Sequence, residues 1–230
     1  MLPNQYYYII GTLILGIIWL VIFLSRKDLR VQILRMSLFV TIFGITEHFW
    51  YYGAYWTPQW ILKLPYINAG IEDFLLCFFY GGIAAGLYEF AMKKHLVKDN
   101  RYSKFERKVV SLLAVFVGVI TVLFMEYFLK AGIIFSSGWG IVAAGLVILY
   151  FRKDLLRPAL LNFVLMLVVV FIWQASTRLL FPDMYQTFWN VENVSGKYFA
   201  GVLLEEYFFH ASMAFGIGPL FEVFYGYTDK

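Results

Sequence analysis

Two consecutive acidic residues open an apolar stretch twice in this chain, at Glu72-Asp73 and at Glu205-Glu206. A third acid, Glu47, stands beside His48 in another apolar run, and His210 follows Glu206 by four residues, about one helical turn. Ionisable groups inside apolar helices are costly and face a protein interior or a wet cavity, so each asks for an explanation. Buried carboxyls beside like charges can hold a proton at neutral pH, which suits them to general-acid chemistry on an apolar substrate. Two neighbouring residues on a helix point about 100° apart, so one of each pair can face a cavity while the other supports it. The structural alternative is that these acids sit at helix N-termini, where the dipole favours them, and pair with Arg178 or a histidine.

Such residues need membrane helices to position them. Of 230 residues, 61% are hydrophobic and 15% charged, too apolar a balance for a domain with a fully solvated surface. At about 20 apolar residues per span, seven helices are expected, near 7–25, 34–56, 67–92, 109–129, 132–151, 158–180 and 198–224. The predicted class is therefore all-α, a polytopic transmembrane bundle. Fifteen of the 19 Lys and Arg fall on alternate loops, which places the N-terminus outside and the C-terminus in the cytoplasm and requires an odd number of spans. Membrane orientation accounts for the net charge of +4, so no nucleic-acid partner is expected. The lone Cys77 cannot form an internal disulfide, and three histidines are too few for a histidine-box di-iron site. No metal site is expected; Glu47, His48, Glu205, Glu206 and His210 read as hydrogen-bonded pairs. Oligomeric state stays open.

The chain repeats itself. Arg26-Lys27-Asp28-Leu29 recurs as Arg152-Lys153-Asp154-Leu155, and Glu72-Asp73-Phe74 is echoed by Glu205-Glu206-Tyr207. Leu87-Tyr88-Glu89 likewise aligns with Leu220-Phe221-Glu222. The expected organisation is a first three-helix repeat over 1–95, a basic loop and linking helix over 96–131, and a second three-helix repeat over 132–230. A linking helix lets both copies insert the same way up, and such repeats place sites at their interface.

At about 1.5 Å per residue, Glu47, His48, Glu72, Asp73, Glu126, Gln174, Glu205, Glu206 and His210 all fall in the outer half of the bundle. One shared cavity is the economical reading. Glu89 and Glu222 lie at the opposite end near the Arg-Lys clusters and read as ion-paired. Tyr55 and Trp56 read as members of an interfacial aromatic belt.

Two membrane repeats, each with an acidic pair opening its last helix ahead of aromatic residues, resemble the membrane-integral lycopene cyclases in their fused two-repeat form. The segments that carry the resemblance are Gly70-Ile71-Glu72-Asp73-Phe74-Leu75 and Leu203-Leu204-Glu205-Glu206-Tyr207-Phe208, which look like the family's Pro-x-Glu-Glu/Asp motif. Gly70 and Leu203 stand where that motif has proline, and Glu47 stands about where family members carry an acid in a second helix. The resemblance implies acid-initiated, redox-neutral cyclisation of lycopene or a related linear carotenoid, with no cofactor required. It implies Glu72, Asp73, Glu205 and Glu206 as the catalytic set, with Glu72 or Glu205 as proton donor. Glu47, His48, Trp50, Tyr51, Trp173, Gln174, Tyr207 and His210 would bind substrate or tune the site. The aromatic content, 21% of the chain, would then stabilise a carbocation through ring faces. The expected partners are the lipid bilayer and a hydrophobic polyene or isoprenoid. Alternatives are a non-catalytic membrane protein that holds an isoprenoid or a partner protein, and a proton-coupled transporter. A retinal protein is excluded, because no lysine lies within the seventh apolar stretch.

Overall fold

The computed structural model describes residues 3–229 and is almost entirely helical. The long helices are α1 (Tyr7–Ser25), α2 (Arg30–Thr41), α3 (Ile71–Met92), α4 (Lys104–Leu123), α5 (Ile133–Phe151) and α6 (Leu156–Leu180). Short helices α7 (Met184–Phe188), α8 (Leu204–Ile217) and α9 (Leu220–Tyr225) follow. With flanking turns, six runs among the described residues are long and apolar enough to cross a membrane: Asn4–Ser25, Lys27–Tyr51, Ile71–Met92, Lys104–Phe128, Ile133–Phe151 and Lys153–Leu180. The protein is a multi-pass membrane protein.

Helix boundaries depart from the sequence reading for local reasons. α4 starts at Lys104 rather than near 109, because Ser103 and Glu106 cap each other: the Ser103 hydroxyl accepts from the Glu106 N–H at 3.2 Å and Glu106 accepts from the Ser103 N–H at 2.7 Å. The continuous helix expected over 198–224 does not form. Tyr198–Phe199 (β2) and Val202–Leu203 (β3) make a small antiparallel ladder ahead of α8. Gly218-Pro219 then separates α8 from α9, since proline has no N–H to continue the ladder of helical hydrogen bonds. Together α8 and α9 still carry the chain to the basic end, where Tyr227–Asp229 (β4) pairs with Leu96–Lys98 (β1).

Helices α3 and α8 are central. α3 packs on α1 and α2, α8 packs on α5 and α6, and α3 also touches α6 and α8, while α4 lies along α5. A side chain at Gly81 would stand 2.5 Å from Val40 Cβ and 2.7 Å from the Met36 carbonyl, so the α2–α3 crossing depends on that glycine.

The basic clusters gather at one end of the bundle. Arg26 holds Asp28 (2.8 Å) and the Lys94 carbonyl, while Arg101 bridges Asp99 and Asp154, both at 2.9 Å. The buried Arg152 grips Asp154 at 2.8 Å and Asp99 at 3.4 Å. Arg101 beside Asp99 holds that loop carboxyl below the usual carboxylate range. A depressed folded-state pKa gives stability that is present above the unfolded value, about 4, and is lost as pH falls through the folded one. Asp99→Asn is therefore expected to lower the melting temperature at pH 7 by roughly 2–4 °C, with the difference closing below about pH 4. Melting curves in detergent across that range check it; a gap that stays constant with pH would refute the linkage.

At the other end, segments 52–70 and 181–203 interlock into a cap. The Thr57 N–H donates to the Phe188 carbonyl (2.7 Å) and the Asn190 N–H to that of Tyr55 (2.9 Å), with the Trp56 and Trp189 rings 5.4 Å apart.

Candidate functional site

Beneath this cap lies a cavity of about 380 Å³, walled almost wholly by apolar and aromatic groups. α2 and α4 form two of its sides. Phe43, Val115, Val119 and Leu123 line it and are themselves exposed, so it is a slot open laterally toward lipid. Three carboxyls, those of Glu47, Asp73 and Glu206, close its capped end.

Each carboxyl reaches the slot by a local device. After α2 the backbone tightens over Ile42–Ile45 and then widens into a π-helical turn over Glu47–Tyr51, the Tyr52 N–H reaching the Glu47 carbonyl at 3.0 Å. A π turn rotates the following side chains, and here it presents Glu47, Trp50 and Tyr51 to the slot. Asp73 sits in the first turn of α3 and reaches back to the Gly70 N–H (2.6 Å), while also accepting from Trp60 Nε1 (2.7 Å) and the Tyr8 hydroxyl. Glu206, in the first turn of α8, accepts from the Tyr55 hydroxyl (2.6 Å), Trp189 Nε1 (3.1 Å) and Gln174 Nε2 (2.7 Å). His210 Nε2 lies 3.3 Å from the same carboxyl, and its Nδ1 is buried without a partner.

The acidic pairs divide their work. Glu72 is fully buried outside the slot, where it accepts from the backbone N–H groups of Ile61 (2.7 Å) and Leu62 (2.9 Å). Glu205 is equally buried and accepts from the Ser195 N–H. The first acid of each pair therefore anchors the cap, and the second faces the slot. Glu72 and Glu205, expected as proton donors, are not among the residues that line the slot, being set off from Asp73 and Glu206 by the 100° step along their helices. The two acidic pairs are held alike: a cap N–H binds the first acid, and a cap tryptophan and a tyrosine hydroxyl bind the second.

Of the remaining sequence candidates, Trp50, Tyr51, Trp173, Gln174 and His210 line the slot. His48 does not; its Nδ1 accepts from the Asn68 N–H at 3.0 Å. Tyr207 packs on Phe199 outside it. Glu126 accepts from Ser136 Oγ at 2.8 Å, and Arg178 donates to the Gly201 carbonyl at 3.1 Å; neither lines the slot. Among the described residues, no Lys or Arg lies within 4 Å of any acid in this layer, and the His210–Glu206 contact is its one ion-pair geometry. Nor do three or more His, Cys, Asp or Glu side chains converge there as metal ligands would. Glu89 and Glu222, expected to pair with the basic clusters, have no cationic partner among the described residues; each leaves Oε2 buried without a hydrogen bond, and Arg26 takes the Glu89 backbone carbonyl instead (2.6 Å).

Sequence reasoning missed Tyr8, Trp60 and Trp189, and assigned Tyr55 and Trp56 to an interfacial belt. Tyr55 and Trp56 are buried and hold Glu206 and Glu47, the latter through Trp56 Nε1 at 3.0 Å. The available signal was a tryptophan ahead of each acidic pair, Trp60 before Asp73 and Trp189 before Glu206.

Fold and site together define a polytopic membrane protein with an acid-ended apolar slot. Residues 133–224 match the family model described as lycopene cyclase. That match runs from α5 into α9 and includes Gln174, Glu206 and His210. No curated protein and no solved structure matches the chain.

Proposed function

We propose that the protein is a lycopene cyclase-type isomerase that protonates and closes the end group of lycopene or a related linear carotenoid. The observation that carries this reading is an apolar slot, open to lipid, whose blind end holds three carboxyls with no Lys or Arg beside them. Its size suits one end of an isoprenoid chain, and the rest of the polyene leaves nearer the cap, past the exposed Phe43, Val119 and Leu123.

Glu47 is the acid. Its Oε2 accepts from Trp56 while Oε1 is buried without a partner, whereas both oxygens of Asp73 and of Glu206 accept hydrogen bonds. Of the three, Glu47 alone keeps an oxygen with no hydrogen-bond partner in the protein, from which a proton can be handed to a bound alkene. Glu47 gives its proton to the terminal double bond. The neighbouring alkene attacks the resulting tertiary cation, and the new ring loses a proton to the Glu206–His210 pair. Asp73, Glu206 and the faces of Tyr80 and Trp173 stabilise the cation. The substrate gains one proton and loses one, so the reaction needs no redox partner or cofactor, and return of a proton from the Glu206–His210 pair to Glu47 resets the site. Glu72 and Glu205 act as positioning residues.

Helices α1–α3 and α5–α9 are two copies of one unit joined by α4, a reading supported by the matched contacts of the two acidic pairs. The basic end faces the cytoplasm by the positive-inside rule, with Tyr7 and Tyr8 at the outer end.

Expression in cells that accumulate lycopene tests the proposal. New products with cyclised ends, resolved from lycopene on chromatography and absorbing at shorter wavelength, are expected. Recovery of the protein with unconverted pigment bound would replace the enzyme with a carotenoid-holding protein.

A further inference from the structure

At the basic end, a second cavity of about 620 Å³ adjoins the slot. The two share Phe39 on α2, Val115 on α4 and Phe224 on α9. Phe39 and Phe224 meet edge to face with centroids 5.5 Å apart and mark the boundary. Beyond them the lining changes from apolar to cationic. Lys104, Arg107 and Lys108 come from the first turns of α4 and Lys98 from β1, with Ser111 as a neutral hydroxyl and no acidic residue in the wall.

Those four cations are unneutralised. Among the described residues, none has a carboxylate within 4 Å, because Asp28, Asp99 and Asp154 are engaged by Arg26, His95, Arg101 and Arg152. Lys98 donates to the Tyr225 carbonyl (3.0 Å) and lies 4.2 Å from the centre of the Tyr227 ring, and Arg107 donates to the Ser103 carbonyl (3.4 Å), so their partners are uncharged. Glu106, the acid on the same turn of α4, is folded back onto the Ser103 N–H. Membrane orientation asks only that positive charge lie near this surface. It does not ask for four like charges in one concavity that opens onto an apolar groove. Their mutual repulsion is relieved by a bound anion.

We infer that this cavity binds the phosphate headgroup of an anionic membrane phospholipid, with one acyl chain lying in the adjoining groove between α2 and α4. A soluble anion would use only the cationic half of the site, whereas an amphiphile uses both the cations and the apolar wall of Phe39, Leu112, Val115 and Phe224. The inference stands whether or not the slot takes a polyene.

Native mass spectrometry of the full chain, from micelles containing dioleoyl phosphatidylglycerol or phosphatidylcholine, reads the bound lipid directly. One phosphatidylglycerol is expected to be retained over phosphatidylcholine by about tenfold or more. The combined Lys104→Gln, Arg107→Gln and Lys108→Gln variant should lose that preference. A control that removes three charges from the same end outside the cavity, Lys27→Gln, Lys93→Gln and Lys153→Gln, should keep it. Equal loss in both variants would mean diffuse surface attraction and overturn the site. Ser111→Trp fills the cavity without changing charge and should also lower retention; should the charge variant fail to fold, this one decides. Displacement of the lipid by millimolar inorganic phosphate would identify a free-phosphate site and overturn the lipid assignment.

Discussion

Glu47→Gln is expected to reduce ring closure by folded protein by about 10²-fold or more, the usual worth of a positioned general acid. The amide oxygen can still accept from Trp56 Nε1, and the side chain keeps its volume, so the cavity should survive while the transferable proton does not. Glu72→Gln provides the contrast. That residue holds the Ile61 and Leu62 N–H groups outside the slot, so its replacement should lower thermal stability more than turnover by the protein that remains folded. Purified variants, checked by circular dichroism and supplied with lycopene in micelles, give both numbers. Full turnover by Glu47→Gln would remove it as proton donor; loss of turnover by Glu72→Gln in fully folded protein would return that role to the first acid of the pair.

The second large effect concerns Gly70, at the position where the lycopene cyclase motif has proline. A side chain there would overlap the Trp60 ring and stand 2.6 Å from Glu72 Oε2. The Gly70 N–H also donates to Asp73, and proline has none to give. Gly70→Pro is therefore expected to destabilise the protein by about 3 kcal/mol, combining overpacking with the loss of a hydrogen bond to a carboxyl. Gly70→Ala keeps the N–H and should fall between proline and wild type. Leu203, at the equivalent place in the other half, has φ −58°, a value proline adopts, so the two departures from the motif are not structurally equivalent. Chemical denaturation of all three proteins tests this. Wild-type stability in Gly70→Pro would show that the Trp60 ring moves freely, contrary to the packing described.

Much of the fold was legible because membrane helices advertise themselves locally. Runs such as Tyr7–Ser25 and Ile133–Phe151 are apolar around their whole circumference, and lipid demands that their backbone groups be satisfied within the helix. The seventh passage was misjudged because hydropathy does not register that Gly218-Pro219 interrupts hydrogen bonding, nor that Ala200 and Gly201 turn a small β ladder ahead of α8. The start of α4 was missed for the opposite reason. Its first turns carry Lys104, Arg107 and Lys108, which suppress hydropathy although Ser103 caps the helix.

The composition and order of residues determined, without coordinates, that this is a helical membrane protein with acids gathered in one layer and basic residues at alternate loops. Both follow from the cost of charge in lipid, which acts on each residue separately. Which acid of each pair meets the slot, that Glu47 keeps a bare oxygen there, and that Tyr8, Tyr55, Trp60 and Trp189 supply the hydrogen bonds were decided only by tertiary structure. Those contacts join residues up to 151 positions apart, and their geometry depends on a π turn and a folded cap that leave no periodic trace in the chain.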